Sequence, residues 1–364
     1  MIDRVPEHIR AIAPYKPGKP ISELAREMGL EAGEIIKLAS NENPLGISPL
    51  ARAAVERALA ELGLYPDGNG HDLKTALSRR LGVGLDQIVL GNGSNDVLEL
   101  TARLFLGPNA SAVYAQHAFA VYPLATQACG AVGIEVPARA YGHDLEAMAD
   151  AIRDDTRLVF IANPNNPTGT LLEAEELHAF LGRVPANVAV VLDEAYGEYL
   201  DSERRAPSLE WLTEFPNLIL TRTFSKAYGL AGLRVGYALA RPEVAELLNR
   251  LRQPFNVNSL ALAAAEAALD DEGFLAESKR LNDAGLAQLT EGFRRLGLAY
   301  IPSWGNFVCV QVGDAGRVYQ ELLRRGIIVR PVDNYGLPEH LRVSVGTEVQ
   351  NARFLAALAE VVWV

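Results

Sequence analysis

Apolar and polar residues take turns along the first two thirds of the chain. Short apolar runs at Ile88–Leu90, Ala112–Tyr114, Leu158–Ala162, Val188–Leu192, Leu218–Leu220 and Val235–Ala240 have the length of buried strands. Between them, segments such as Asp96–Leu106 and Glu173–Leu181 repeat their apolar residues at helical spacing. This alternation predicts an α/β fold: a largely parallel sheet with helices on both faces, and ligands at the C-terminal strand edge. After about Arg241 the pattern changes to long helical stretches. Short strands near Phe307–Val312, Ile327–Val329 and Leu341–Val345 follow, then a final helix from Glu348. The change predicts a large domain over 41–255 and a smaller C-terminal domain over 256–364. The divide is expected within a long helix near Arg252–Leu289.

Composition adds bounds to this picture. A chain of 364 residues, 49% hydrophobic, is long enough for two cores. A formal net charge of −11 argues against nucleic acid or an anionic membrane as partner, because both need a basic surface. Any anion site must therefore be local. Cys129 and Cys309 lack metal-ligand or redox spacing and fit buried thiols in a reducing compartment. Asp3, Arg4, Glu7 and Arg10 interrupt the N-terminus, and no later segment reaches a membrane span, so a cytoplasmic protein is expected. Metal chemistry is not expected, since the six histidines lack ligand spacing. Serine-nucleophile chemistry is not expected either.

The candidate chemistry is concentrated in 221–236, TRTFSKAYGLAGLRVG. Lys226 stands between the hydroxyls of Thr223 and Ser225, with Arg234 eight residues on. An aldehyde carrying a phosphate needs an amine to condense with, and hydroxyl and guanidinium donors for the phosphate. Upstream, 187–193 (NVAVVLD) ends an apolar run in Asp193. A carboxylate at a buried strand tip needs a cation, and the protonated ring nitrogen of pyridoxal 5'-phosphate would be one. Taken singly these residues say little: a loop lysine is ordinarily solvated, and an Asp at a strand end ordinarily caps the next helix. Their order along the chain is what proposes a pyridoxal-phosphate enzyme. GNGSND (91–96) adds a strand-to-helix turn whose Ser94 and Asn95 amides suit a phosphate dianion. The same run would suit a dinucleotide, but no acidic residue ends the next strand, which closes on Tyr114-Ala115.

Nine segments resemble the histidinol-phosphate aminotransferase family, which are fold-type I pyridoxal-phosphate transferases. They are LASNENPLG (38–46), YPDGNG (65–70), GNGSND (91–96), NPNNPTG (163–169), DEAY (193–196), RTFSKAYGLAGLRVG (222–236), PFNVNS (254–259), VRPVDNYGLP (329–338) and LRVSVGT (341–347). The resemblance implies covalent attachment of the cofactor at Lys226 and a pyridinium partner in Asp193. It gives Asn166 and Tyr196 the ring's 3'-oxygen, Phe119 a stacking role, and Thr223, Ser225 and Arg234 the phosphate. It also implies a homodimer, in which Tyr65 reaches the neighbouring subunit's phosphate, and an N-terminal arm, 1–40, packed on the small domain. Once freed, Lys226 would shuttle a proton from the substrate's α-carbon to the cofactor, with 2-oxoglutarate as amino acceptor.

Arg330 and Arg342, assisted by Tyr15, are the expected anion binders for the substrate. The family commonly has Pro-Ser or Pro-Thr before the stacking aromatic. This chain has Gln116-His117-Ala118 instead, and His117 is not counted as catalytic. Three other readings share the motifs: an aromatic amino-acid aminotransferase, a decarboxylase of a phosphorylated amino acid, and a non-catalytic regulator built on the same fold.

Overall fold

The computed structural model describes every residue except Lys16 and Val364. Among the described residues the strands, in chain order, are β1 (Ile36–Lys37), β2 (Ile88–Gly91), β3 (Ser111–Ala115), β4 (Val132–Val136), β5 (Thr156–Ala162), β6 (Ala189–Asp193), β7 (Leu218–Thr223), β8 (Gly236–Leu239), β9 (Tyr300–Ile301), β10 (Phe307–Gln311), β11 (Ile327–Ile328), β12 (Arg330–Val332) and β13 (Leu337–Ser344). Seven of them form one sheet in the order β2-β8-β7-β6-β5-β3-β4. The five from β7 to β4 run parallel, and β8 is antiparallel to both its neighbours. This is the α/β architecture expected from the alternating pattern.

Period-two alternation divides each central strand between two cores. Val159 and Ile161 of β5, with Val190 and Leu192 of β6, pack into one. Leu158, Phe160 and Ala162, with Ala189 and Val191, pack into the other. Asp193 continues the second set. Its side chain therefore falls on the face covered by the helices Ser94–Phe105 and Val121–Ala128.

The smaller body is a four-stranded antiparallel sheet, β12-β13-β10-β9, with its own core of Leu289, Phe293, Val308, Val310, Val343 and Phe354. The helix Ser259–Leu269 lies beyond the expected 255/256 divide, yet its alanines 261, 264, 265 and 268 pack into the large body. Small side chains let it lie close against the helix Pro49–Ala58. The change of core falls instead within the helix Glu272–Arg295, where Leu275 packs on the first core and Leu289 on the second. The arm is shared between the bodies. Strand β1 pairs with β11, and Leu24 packs on Leu323 and Ile328, whereas the turn Glu7–Arg10 lies on the helix Val121–Ala128 of the large body.

Candidate active site

The parallel strands end together, and the pocket opens there. Ala162, Asp193 and Thr223, at the C-termini of β5, β6 and β7, all line one cleft of about 190 Å³. The cleft also receives Ser40 and Asn41 from the arm and Arg330 and Arg342 from the small body. Of the fourteen residues expected at the site, all but Tyr65 line it. Tyr65 lies elsewhere on the chain, 82% exposed and stacked on Phe255 at 4.8 Å.

Asp193 is buried, and desolvation pushes its carboxyl up to about 6. The hydroxyl of Tyr122 donates to Oδ2 at 2.9 Å and partly counters that rise. The other oxygen, Oδ1, has no hydrogen-bond partner among the described residues. A buried orphan acceptor of this kind suits a cationic N–H. In the same pocket, Lys226 Nζ donates to the Ser40 carbonyl at 3.3 Å and lies 5.7 Å from the centre of the Tyr196 ring. Burial, then the Arg342 charge, depresses this amine to about 7, so a large fraction is free base near neutral pH.

A pocket corner suited to an anion forms where two chain turns meet. The helix Ser94–Phe105 begins after Gly93, with no side chain capping its first amides. Gly93 stands at φ +83°, and a Cβ there would lie 2.3 Å from Arg234 Nη2. A Cβ on Gly236 would lie 2.5 Å from Ser94 N. Glycine at both positions lets backbone amides and guanidinium converge on one point. Arg234 Nη1 donates to Ser225 Oγ at 3.2 Å, and Thr223 Oγ1 accepts from Ser225 N at 3.1 Å.

Tyr196 accepts from Asn41 Nδ2 at 2.9 Å, which leaves its own O–H to donate. Burial holds that phenol at about 12. Asn166 accepts from Arg342 Nη1 at 2.6 Å through Oδ1, so its Nδ2 remains as a donor. Phe119 meets Tyr122 edge-on at 5.8 Å.

The opposite wall carries two buried cations. Arg330 and Arg342 are cross-strand partners in the antiparallel pair β12–β13. Like charges in that position repel, so the arrangement favours an anion between or beside them. Arg342 Nη2 also donates to the Ala39 carbonyl at 2.7 Å, and its guanidinium lies 5.4 Å from the Phe307 ring centre. The Arg330 guanidinium lies 5.7 Å from the ring centre of Tyr15, itself half exposed. Arg342 stands inside β13, and Arg330 begins β12.

Sequence reasoning missed three supporting residues. Tyr122 was concealed in an apolar helical stretch. Asn41, at φ 54°, accepts from Ser344 Oγ as well as supporting Tyr196, and Asn43 ties the Ala227 carbonyl at 2.9 Å, next to Lys226. Both asparagines lie in the quoted LASNENPLG segment, where an Asn reads as an ordinary turn residue.

These groups fit a phosphate-bearing aldehyde with a basic ring nitrogen. The family model "aminotransferase class I and II" matches residues 33–358. Histidinol-phosphate aminotransferase 1 of Thiobacillus denitrificans is 65% identical over 356 residues, covering 98% of this chain and 93% of its own length. Histidinol-phosphate aminotransferase of Methylobacillus flagellatus is 62% identical, with 99% and 98% covered. Among solved structures, histidinol-phosphate aminotransferase from Sinorhizobium meliloti in complex with pyridoxal-5'-phosphate superposes with a TM-score of 0.91 at 32% identity, covering 99% of this chain and 97% of the other.

Proposed function

The chain belongs to the class I and II aminotransferases, and from that premise we propose that it transfers the amino group of L-histidinol phosphate to 2-oxoglutarate, with pyridoxal 5'-phosphate as cofactor. Its architecture is fold-type I. The observation that carries the reading is a single cleft holding Lys226 and Asp193 on one wall and a cross-strand pair of arginines on the other. A phosphorylated amine needs both walls.

When bound, the cofactor supplies an electron sink for the pair released at the substrate's α-carbon. The residues of this chain do the rest. Asp193, its Oδ2 held by Tyr122, would offer Oδ1 to the ring nitrogen, where a fixed carboxylate would favour the protonated form. The Ser94 and Asn95 amides, Thr223, Ser225 and Arg234 hold the cofactor's phosphate. Asn166 Nδ2 and the Tyr196 hydroxyl donate to the 3'-oxygen, and Phe119 covers the ring face. Lys226 would hold the cofactor's aldehyde carbon and, once free, would take the proton from the substrate's α-carbon, a role its depressed basicity suits. Arg330 and Arg342, with Tyr15, bind the substrate's phosphate.

The same reading makes the enzyme a cytoplasmic homodimer. Leu59, Leu62, Leu64 and Tyr65 are all exposed, and apolar side chains left in solvent along so short a segment suit burial against a second copy, whose site Tyr65 would complete. Sedimentation showing a monomeric active species would contradict this. The two domains divide within Glu272–Arg295.

Mixing the cofactor-loaded protein with histidinol phosphate, phenylalanine, tyrosine, aspartate and glutamate in turn, and following loss of the aldehyde form's absorbance, ranks the amines. Histidinol phosphate should convert fastest. A far faster reaction with phenylalanine would replace this reading with the aromatic one, which the 60–65% identical relatives do not favour.

A further inference from the structure

The turn ahead of Phe119 has no place in the chemistry above. Its His117 stands at φ 58°, a region that residues with a Cβ enter only under strain. Contacts from both bodies hold it there. Its carbonyl accepts from Asn165 Nδ2 at 3.1 Å, on the loop that carries Asn166. Its ring Nδ1 lies 2.5 Å from the carbonyl oxygen of Tyr335. A carbonyl only accepts, so Nδ1 carries the proton.

Tyr335 belongs to the small body, in the short turn Asp333–Tyr335 directly after β12 and Arg330. Ala120 packs on the cluster containing Val332, Tyr335 and Leu337. Phe119, which lines the pocket, therefore lies in sequence between a hydrogen bond to Tyr335 and packing on the cluster that holds it. The next residue, Gly336, is at φ +73°, and a Cβ on it would lie 3.5 Å from the His117 ring, so the turn passes close to the imidazole. Beside these contacts runs a crevice of about 380 Å³, lined by His117, Tyr335 and Tyr15 among others. Close packing does not back up the hydrogen bond on that side.

We propose that His117 is a positioning residue: its hydrogen bond to Tyr335 fixes the small-body turn against the Phe119 turn and so sets the separation between the Lys226 wall and the arginine wall. The choice of substrate in its test rests on the aminotransferase reading above. A substrate anchored on both walls senses that separation in its binding. Proton transfer at Lys226 takes place within the large body and senses it less.

Two variants separate this role from a general loss of structure. His117→Gly removes the imidazole and relieves the strained φ, so the fold is not put at risk. His117→Asn keeps a donor and tolerates the left-handed region. In the cofactor-loaded protein, His117→Gly should raise KM for histidinol phosphate roughly tenfold while kcat stays within about threefold. Amide exchange across 333–337 should quicken roughly tenfold in the same variant. His117→Asn should return both readouts to within about threefold of the unmodified protein.

A Gly variant with unchanged KM and unchanged exchange overturns the proposal. So does one whose kcat falls at constant KM, or an Asn variant as impaired as the Gly variant. Should the unmodified protein fail to turn over histidinol phosphate at all, the substrate reading falls alone, and the exchange measurement still decides the role of His117.

Discussion

The two walls of the cleft are built differently. The Lys226 wall comes mostly from short contiguous segments: the tip of β6, the end of β7 and the turn into β8, with the Gly93 turn beside them. Each of its charges meets a designated neighbour, as in Tyr122 on Asp193 or Ser225 on Arg234. The arginine wall depends on sheet register, since Arg330 and Arg342 meet only because β12 and β13 pair antiparallel at that position. Its parts contact remote segments: Ala39 of the arm, Asn166 of the β5 loop and Tyr15. On the function proposed here, the first wall is suited to a constant cofactor and the second to the choice of substrate.

Changes to the Lys226 wall should abolish turnover for every amine alike. Lys226→Ala removes both the covalent anchor and the base, and should cut the half-reaction by roughly 10³-fold or more with any substrate. Peptide mapping after borohydride reduction should find the cofactor on Lys226 in the unmodified protein. A label on another lysine, or near-native turnover of the variant, would break the assignment.

Asp193→Asn should cost less, roughly 10²-fold, because an amide still accepts from Tyr122 but no longer offers a counter-charge. Full activity in that variant would mean that another group protonates the ring.

The legibility of the two walls follows the same division. Thr223, Ser225, Lys226 and Arg234 sit within twelve residues of one another, so their chemistry stands out in the sequence. The central strands were equally plain, because helices bury both their faces and leave continuous apolar runs. Strand β4 was not. Val132, Gly133 and Glu135 are exposed at the sheet edge, and the strand has no apolar run to read. Tyr122 looks apolar until the helix Val121–Ala128 is laid over Asp193, and Asn41 acquires its role only when the arm meets Ser344 and Tyr196. The alanine helix Ser259–Leu269 has apolar residues nearly all round, so its pattern does not say which body it joins. In each case long-range packing supplies information that local spacing lacks.

A smaller effect belongs to the cofactor-free protein, where the Lys226 wall carries an energetic burden. Asp193 holds its proton more tightly folded, at about 6, than its ordinary 3.8. Stability should therefore fall as pH rises from about 4 through 6. Asp193→Asn removes that penalty, and above pH 6 it should stabilise the cofactor-free protein by about 3 kcal/mol. The difference should vanish below about pH 4. Lys226 has the opposite sign: depressed to about 7 from 10.5, it makes stability rise with pH between those values. Denaturant melts of the two proteins across pH measure both trends, and a destabilised Asp193→Asn protein above pH 6 would contradict the carboxylate's burial cost.

The claim that substrate choice resides in the arginine wall is tested most directly by one ratio. It is the half-reaction efficiency with histidinol phosphate divided by that with phenylalanine, measured in the unmodified protein and in Arg330→Ala. Losing one charge-assisted contact to the phosphate should cost roughly 2–4 kcal/mol. The ratio should fall on the order of 10²-fold, with the phenylalanine rate changed far less. An unchanged ratio would contradict the account and leave the second wall without its role.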